Sequence, residues 1–328
     1  MKPAALAAAC LAGALLGAPA VAQIQAQDTA AYPNRTITIV VPLAPGGGVD
    51  VLARTLAAEL KQRLGQAVVV ENRTGGGGIV GDDSVAKAAP DGYTLLTMNS
   101  SEVLHKWLHK SVPFDVVKDV APIAQFATSP LILMTNASRP YRTLAQYLAY
   151  AKAHPGEMTY GSPGVGTPHN LAGEMLDKMA GIDVVHVPYR GTSPALNDLI
   201  ANQIPAIWAT SIAALPFIET GKVIPLALAD LRRPAVLPGV PTVAECCVAG
   251  FHVEVWFGPA APAGTPAAVV ARLDEELRRI GDKPDVRERL NRLGFDLVYK
   301  PTAAFAAMVA EDHIRYGGVI KGLGITSE

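Results

Sequence analysis

One stretch of the chain, residues 39–50 (IVVPLAPGGGVD), constrains the fold more than any other. A run of apolar residues typical of a buried strand passes through three glycines into a segment with helical periodicity, residues 50–64. A strand followed by glycines and a helix start points free backbone N–H groups and the positive end of the helix dipole at one spot. The stretch therefore predicts a strand–helix unit whose turn can bind an anion without any charged side chain.

The same strand–helix alternation continues through most of the chain, which predicts an α/β fold with parallel or mixed sheets covered on both faces. Ligands of such sheets lie at the carboxyl ends of the strands. Glycine- or serine-rich segments fall at four predicted strand ends, at residues 44–50, 99–102, 161–168 and 189–194. Because two come from the first third and two from the middle, we expect a cleft between two lobes.

The first 22 residues have the features of a signal peptide. Lys2 begins the segment, an apolar core spans residues 6–17, and the A-x-A site at residues 20–22 predicts cleavage near Ala22 and export. The full chain has 28 basic and 29 acidic residues, so loss of Lys2 leaves 27 against 29 and a net charge of −2. This balance argues against a nucleic-acid or polybasic membrane role.

Several short motifs, in one order and spacing, carry a resemblance to a known family. The chain resembles the periplasmic solute-binding receptors of tripartite tricarboxylate transporters, the Bug receptors, over roughly residues 33–325. The motifs are PGGGVD at residues 45–50, VENR at 70–73, APDGYTL at 89–95, YGSPGVG at 160–166, HVPYRG at 186–191, PTVAE at 241–245 and APAGTP at 261–266.

The resemblance implies a two-lobed type II periplasmic-binding-protein-like fold with hinge-crossing strands. On that basis the first lobe comprises residues 23–127 and 230–328, and the second comprises residues 128–229. The resemblance further implies a monomeric periplasmic receptor, not an enzyme, that binds a small carboxylate and delivers it to membrane transporter subunits. We expect no cofactor, no metal and no nucleic-acid partner.

The resemblance also implies where the ligand is held. One carboxylate would lie between the loops at residues 44–49 and 162–167. Backbone N–H groups of Gly46, Gly47, Gly48 and residues 164–167 would donate to it, and the hydroxyls of Ser162, Thr167 and Ser193 could add to them.

Two acidic residues depart from the family pattern. Asp230 replaces a residue of a frequent Thr–Ser pair, and Glu102 stands where a histidine is frequent. Two acids in a cleft would repel a polycarboxylate and pair with an ammonium group. They give the hypothesis of a ligand with both a carboxylate and an amine, against the alternative that both acids point to solvent. The predicted ligand-binding residues are Ala44, Gly46, Gly47, Gly48, Ser100, Ser101, Glu102, Ser162, Gly164, Gly166, Thr167, His169, Tyr189, Thr192, Ser193 and Asp230.

Other patterns offer competing interpretations. The glycines of residues 76–81 match a dinucleotide-binding fingerprint, although a structural turn or a second cleft loop fits better. Glu102, His105 and His109 would align on a helix and could bind a metal, although a solvated face is the commoner case. The alternative to a receptor is an exported enzyme acting on a carboxylate, with His169 or the acids at 102 and 230 as base.

Overall fold

The computed structural model describes residues 32–234 and 236–325, and all the elements below belong to the compact unit that begins at Pro33. The predicted signal peptide and its cleavage site lie outside the described residues. Within the described residues, the strands form two separate sheets.

The first sheet has a parallel core extended by antiparallel strands. Its order is β12-β5-β11-β3-β1-β2, and β4 pairs with β11. Strand β1 is parallel to β2 and β3, whereas β11 is antiparallel to β3, β4 and β5. The strands are β1 (Ile37–Val41), β2 (Val68–Asn72), β3 (Thr94–Asn99), β4 (Val120–Pro122), β5 (Gln125–Ser129), β11 (Val255–Pro262) and β12 (Asp296–Lys300).

The second sheet is built from the middle of the chain in the order β10-β6-β9-β7-β8. Strand β7 is parallel to β8 and β9, and β6 is antiparallel to β9 and β10. The strands are β6 (Leu131–Asn136), β7 (Met158–Ser162), β8 (Val184–Pro188), β9 (Ala206–Thr210) and β10 (Val223–Leu228).

The chain passes between the two sheets twice. It leaves the first sheet at Ser129, the end of β5, and enters the second at Leu131, so the change occurs at Pro130. It returns through residues 229–254, between β10 and β11. Two sheets joined by two crossings confirm the predicted two-lobed α/β class.

Helices cover the faces of both sheets. Helix α1 buries Leu52, Leu56 and Leu60 along one face, as i, i+4 spacing requires, and ends at Gly65 in a left-handed conformation. The helices are α1 (Gly48–Leu64), α2 (Ile79–Ala86), α3 (Glu102–Leu108), α4 (Leu144–Ala153), α5 (Pro168–Ala180), α6 (Thr192–Ile200), α7 (Ser211–Glu219), α8 (Val243–Cys246), α9 (Ala267–Gly281), α10 (Pro284–Arg292) and α11 (Thr302–Gly322).

The strand–helix pattern of the sequence does not predict strand β11. Strand β11 is buried along its whole length, yet it contains Gly258, Pro259 and Pro262, which normally indicate a break in a strand. Gly258 is needed there because a Cβ atom would lie 2.1 Å from the carbonyl oxygen of Ala124. No helix among the described residues has the length and apolar character needed to cross a membrane.

Candidate functional site

The first glycine loop is held by Asp50 in the first turn of α1. Its carboxylate accepts hydrogen bonds from Gly46 N (3.0 Å), Arg54 Nη2 (2.9 Å) and Asn72 Nδ2 (3.0 Å). Burial would raise the pKa of Asp50, but these hydrogen bonds together lower it below its ordinary value. Asp50 and Arg54, four residues apart on α1, form an ion pair that shapes the loop leading into the helix.

An inner cavity of about 20 Å³ lies between the two sheets, where the loop meets the second lobe. Helices α1, α5, α6 and α7 all begin at this cavity, which places four positive dipole ends around one small space. It is lined by Leu43, Ala44, Gly47, Gly48, Val49, Asn99, His169, Thr192, Thr210, Val255 and Phe257.

Three of the four helix starts leave their backbone N–H groups uncapped by side chains. Helices α1, α6 and α7 have no side-chain cap hydrogen bond, whereas Thr167 caps α5 by accepting from Asn170 N. The first N–H groups of a helix have no partner within the helix and need an acceptor. A carboxylate in the inner cavity would supply that acceptor to both lobes at once.

Three buried side chains also present unpartnered polar atoms to the inner cavity. Asn99 Nδ2, Thr210 Oγ1 and both ring nitrogens of His169 have no hydrogen-bond partner within the described residues. Asn99 is oriented by Ser101, whose N–H (2.9 Å) and hydroxyl (2.6 Å) both donate to Asn99 Oδ1. Buried polar groups without partners are costly, so these atoms indicate a site built for a polar ligand.

Charge in the inner cavity comes from the backbone. Among the residues that the structure describes, no Asp, Glu, Lys or Arg side chain lines it. Burial lowers the pKa of His169 to about 3, so its imidazole is neutral near pH 7. An anion here would therefore be stabilised by helix dipoles, amide donors and neutral polar side chains.

A larger outer cavity of about 360 Å³ adjoins the inner one, and Leu43 lines both. One wall is the turn Gly75–Gly78, which requires glycine because all four residues have positive φ, from 56° to 146°. Among the described lining residues, Arg190 is the one Lys, Arg, Asp or Glu. The lining comprises Leu43, Thr74, Gly75, Gly76, Gly77, Gly78, His109, Pro163, Gly164, Val165, Pro188, Tyr189 and Arg190.

The two lobes touch across the cleft beside these cavities. The hydroxyl of Ser193 donates to the carbonyl oxygen of Pro45 over 3.1 Å, and His109 Nε2 donates to the carbonyl oxygen of Val165 over 3.0 Å. A Cβ atom on Gly77 would lie 1.9 Å from the same Val165 oxygen. The structure is therefore a closed form, and its closure depends on the absence of a side chain at Gly77.

The cavities contain seven of the residues predicted from the sequence. The inner cavity is lined by Ala44, Gly47, Gly48, His169 and Thr192, and the outer cavity by Gly164 and Tyr189. Gly47 has φ −81°, an ordinary value for any residue, and its missing Cβ would point toward Thr192 Oγ1 at 3.8 Å.

Several other predicted contacts have polar groups that already form hydrogen bonds inside the protein. Gly46 N donates to Asp50 and Gly166 N donates to Asn170 Oδ1, so both amides have internal acceptors in this structure. The hydroxyl of Ser193 bonds the opposite lobe instead of a ligand.

The predicted serine and threonine hydroxyls also have internal partners. Ser100 Oγ donates to the carbonyl oxygen of Glu254. Ser162 Oγ lies 2.7 Å from His186 Nε2, and Thr167 Oγ1 donates to the carbonyl oxygen of Gly164. Ser101 acts through Asn99, as described above. These residues position the loops and do not line either cavity.

Neither acid of the amine hypothesis lines a cavity. Glu102 is buried inside the first lobe, where it accepts from Asn99 N over 2.8 Å and lies near the carboxyl of Asp82. Asp230 accepts the backbone N–H of Leu231 and Arg232 and so closes a turn after β10. The two cavities therefore give the amine hypothesis no support from Glu102 or Asp230, and that hypothesis stays a prediction.

The structure adds lining residues that sequence reasoning missed. Asn99 and Thr210 are the last residues of β3 and β9, and their position at strand ends was the available signal. Val255 and Phe257 belong to β11, which the pattern did not predict. For Arg190 the sequence provided no signal of a role in ligand binding beyond its place in the HVPYRG motif at residues 186–191.

The competing chemical interpretations find no support in the geometry. Among the described residues, no group of three or more His, Cys, Asp or Glu side chains is placed to hold a metal ion. Of the fingerprint glycines, those of the 3₁₀ turn Gly76–Gly78 line the outer cavity, which agrees with a second cleft loop, whereas Gly81 lies in α2.

A closed interlobe cleft with backbone donors from both lobes defines a two-lobed solute-binding protein. Residues 52–325 match the tripartite tricarboxylate transporter family receptor, and the chain belongs to this family. The resemblance inferred from the motifs is thereby confirmed.

Relatives and solved structures agree with this assignment. The chain is 34% identical to Protein BugT of Bordetella pertussis over 295 residues, which cover 89% of this chain and 90% of BugT. A solved R. palustris protein with adipate is similar at a TM-score of 0.88 and 30% identity, covering 90% of this chain and all of that one. MatC of Rhodopseudomonas palustris with bound malate is similar at a TM-score of 0.83 and 33% identity, covering 88% of this chain and all of MatC. The fold is therefore that of the type II periplasmic binding proteins.

Proposed function

We propose that this protein is a periplasmic receptor that captures a small carboxylate in the inner cavity and delivers it to membrane transporter subunits. The observation that carries the proposal is the meeting of four helix starts with the unpartnered polar atoms of Asn99, His169 and Thr210. These groups supply donors from both lobes, so a bound carboxylate holds the lobes together. Relatives solved with adipate and malate support a carboxylate as the ligand.

We propose that the protein is a receptor and not an enzyme. Catalysis at the cavities would need a base within hydrogen-bonding reach of a nucleophile or of the ligand. His169 is the one titratable residue in the inner cavity lining, and no Ser or Cys lines either cavity. Thr192 and Thr210 also line the inner cavity, but neither ring nitrogen of His169 has a hydrogen-bond partner among the described residues, and its pKa of about 3 makes this imidazole a weak base. These two facts favour stoichiometric binding without turnover.

Gly47→Ala tests the site. The added methyl group meets nothing closer than 3.8 Å, so the fold should tolerate it, but it enters a cavity that is only about 20 Å³. The matched control is Gly239→Ala, where a Cβ atom would meet nothing within 4 Å.

Titration calorimetry should be performed with the chain from residue 23 and a panel of mono-, di- and tricarboxylates. We expect Gly47→Ala to weaken binding at least ten-fold and Gly239→Ala to leave it unchanged. Equal affinities of both variants and the wild type would place the ligand elsewhere. Recovery of an altered ligand after prolonged incubation would favour the enzyme.

A further inference from the structure

The two cavities differ in what they can hold. The inner cavity, at about 20 Å³, is only slightly larger than the 10–15 Å³ that one water needs, so it holds a headgroup and not a whole ligand. The outer cavity, at about 360 Å³, has room for the body of a drug-sized molecule. Because Leu43 lines both, the two cavities are neighbours, and a ligand that spans them would have its head in the inner cavity and its body in the outer one.

The walls of the outer cavity indicate the chemistry of that body. Leu43, Pro163, Val165 and Pro188 give it apolar walls, and the glycine turn contributes mostly backbone. None of its described lining residues carries a carboxylate, so an ammonium group would find no counter-charge among them. A body with several hydroxyls or amines would lose its hydration against these walls without replacement hydrogen bonds.

Arg190 gives the outer cavity a positive end. Its side chain is exposed and makes no hydrogen bond or ion pair within the described residues, so its guanidinium remains available to a ligand. The neighbouring Tyr189 hydroxyl, in contrast, is already bonded to Asp198 Oδ2 at 2.7 Å. Arginine matches the planar geometry of a carboxylate.

We propose that the ligand is an elongated dicarboxylate with an apolar middle. One carboxylate occupies the inner cavity, the aliphatic or aromatic body lies in the outer cavity, and the second carboxylate meets Arg190. This inference rests on the proposed function and specifies its substrate class. It excludes amino acids and compact hydroxylated tricarboxylates as the best ligands.

The experiment compares matched ligands on matched variants. Suberate and octanoate have the same number of carbons, but only suberate has a second carboxylate. Arg190→Gln removes the cation at the outer cavity, and Arg232→Gln removes an exposed arginine that lines neither cavity. Thr74→Phe places a ring in the outer cavity without touching the inner one.

We expect wild type to bind suberate or adipate more tightly than citrate or aspartate. Arg190→Gln should lower the affinity for suberate about five-fold, which is the upper range for a partly exposed ion pair. The affinity for octanoate should change less than two-fold. Arg232→Gln should change neither. Thr74→Phe should weaken both long ligands and spare malonate.

The outcomes separate this inference from the proposed function. If Arg190→Gln and Arg232→Gln behave alike, or if citrate or aspartate binds best, the elongated-dicarboxylate inference is wrong even though the receptor stands. If no carboxylate binds the wild type, the proposed function itself is wrong.

Discussion

Replacing Thr210 with valine should weaken ligand binding without lowering the stability of the protein. Thr210 is 3% exposed, lines the inner cavity, and its hydroxyl has no hydrogen-bond partner within the described residues. Valine has nearly the same shape, so Thr210→Val removes one polar atom and leaves the cavity wall in place. The hydroxyl would donate to a bound carboxylate, and the variant cannot.

The expected magnitudes follow from this environment. A hydrogen bond to a charged group contributes about 1.5–3 kcal/mol, which corresponds to a roughly 10- to 150-fold loss of affinity for the variant. In the ligand-free protein the same hydroxyl is buried and unpaired, so its removal should leave the free energy of unfolding unchanged or raise it by about 1 kcal/mol.

Thr135→Val is the matched control. Thr135 is fully buried in the same lobe, and its hydroxyl donates to the carbonyl oxygen of Pro205 over 2.8 Å, away from both cavities. Here the substitution breaks an existing hydrogen bond and leaves that carbonyl without it. We expect a loss of about 1–2 kcal/mol in stability and no change in affinity.

Urea unfolding without ligand measures the stabilities, and titration calorimetry with the ligand found for the wild type measures the affinities. The reasoning is refuted if Thr210→Val lowers stability as much as Thr135→Val does, because Thr210 would then have a partner inside the protein. Unchanged affinity of Thr210→Val would likewise remove its hydroxyl from the ligand site.

Three further predictions concern closure and pH. Gly77→Ala should abolish tight binding because its Cβ would lie 1.9 Å from the Val165 oxygen. Gly65→Ala, also at positive φ but with nothing within 4 Å of the added Cβ and outside both cavity linings, should cost about 1 kcal/mol of stability and leave affinity unchanged; calorimetry and urea unfolding distinguish the two variants. Burial and a neighbouring carboxyl raise the pKa of Glu102 well above its ordinary value of 4.5, so the folded state holds a proton more tightly than the unfolded state. The free energy of unfolding should therefore fall as pH rises from about 4.5, and Glu102→Gln should flatten that dependence in urea titrations at successive pH values. Because the pKa of His169 is about 3, this imidazole should add no pH dependence to the affinity for a fully ionised carboxylate from pH 6 to 8. A rise below pH 7 that disappears in His169→Asn would show instead that this imidazole becomes charged.

Backbone features of the site could be predicted from the sequence, and side-chain partnerships could not. The glycine loop before α1 follows from local pattern, since a strand, glycines and a helix start produce the same geometry wherever they occur. Ser162 and Thr167 looked like ligand contacts, yet each forms a hydrogen bond inside the protein. Which hydroxyl is satisfied internally depends on tertiary neighbours that no local pattern specifies.

Tertiary packing also explains the missed strand β11. Its Gly258, Pro259 and Pro262 oppose strand formation locally, but burial between β3 and β5 stabilises the extended conformation. Phe257, which lines the inner cavity, was missed for the same reason. The burial of Glu102 could not be predicted for another reason, because the local pattern does not show which way the first residue of α3 faces.

The division of the inner cavity between two lobes has a consequence for release. Helix α1 starts on the first sheet, whereas α5, α6 and α7 start on the second, so no single lobe carries the complete set of donors. When the lobes separate, one helix start stays with the first lobe and three stay with the second, so the positive potential at each is weaker than at the closed site. The carboxylate in the inner cavity has no buried counter-charge among the described lining residues, so release does not require a buried ion pair to be broken. A membrane partner that separates the lobes would therefore lower the affinity for the ligand without any chemical change in the site.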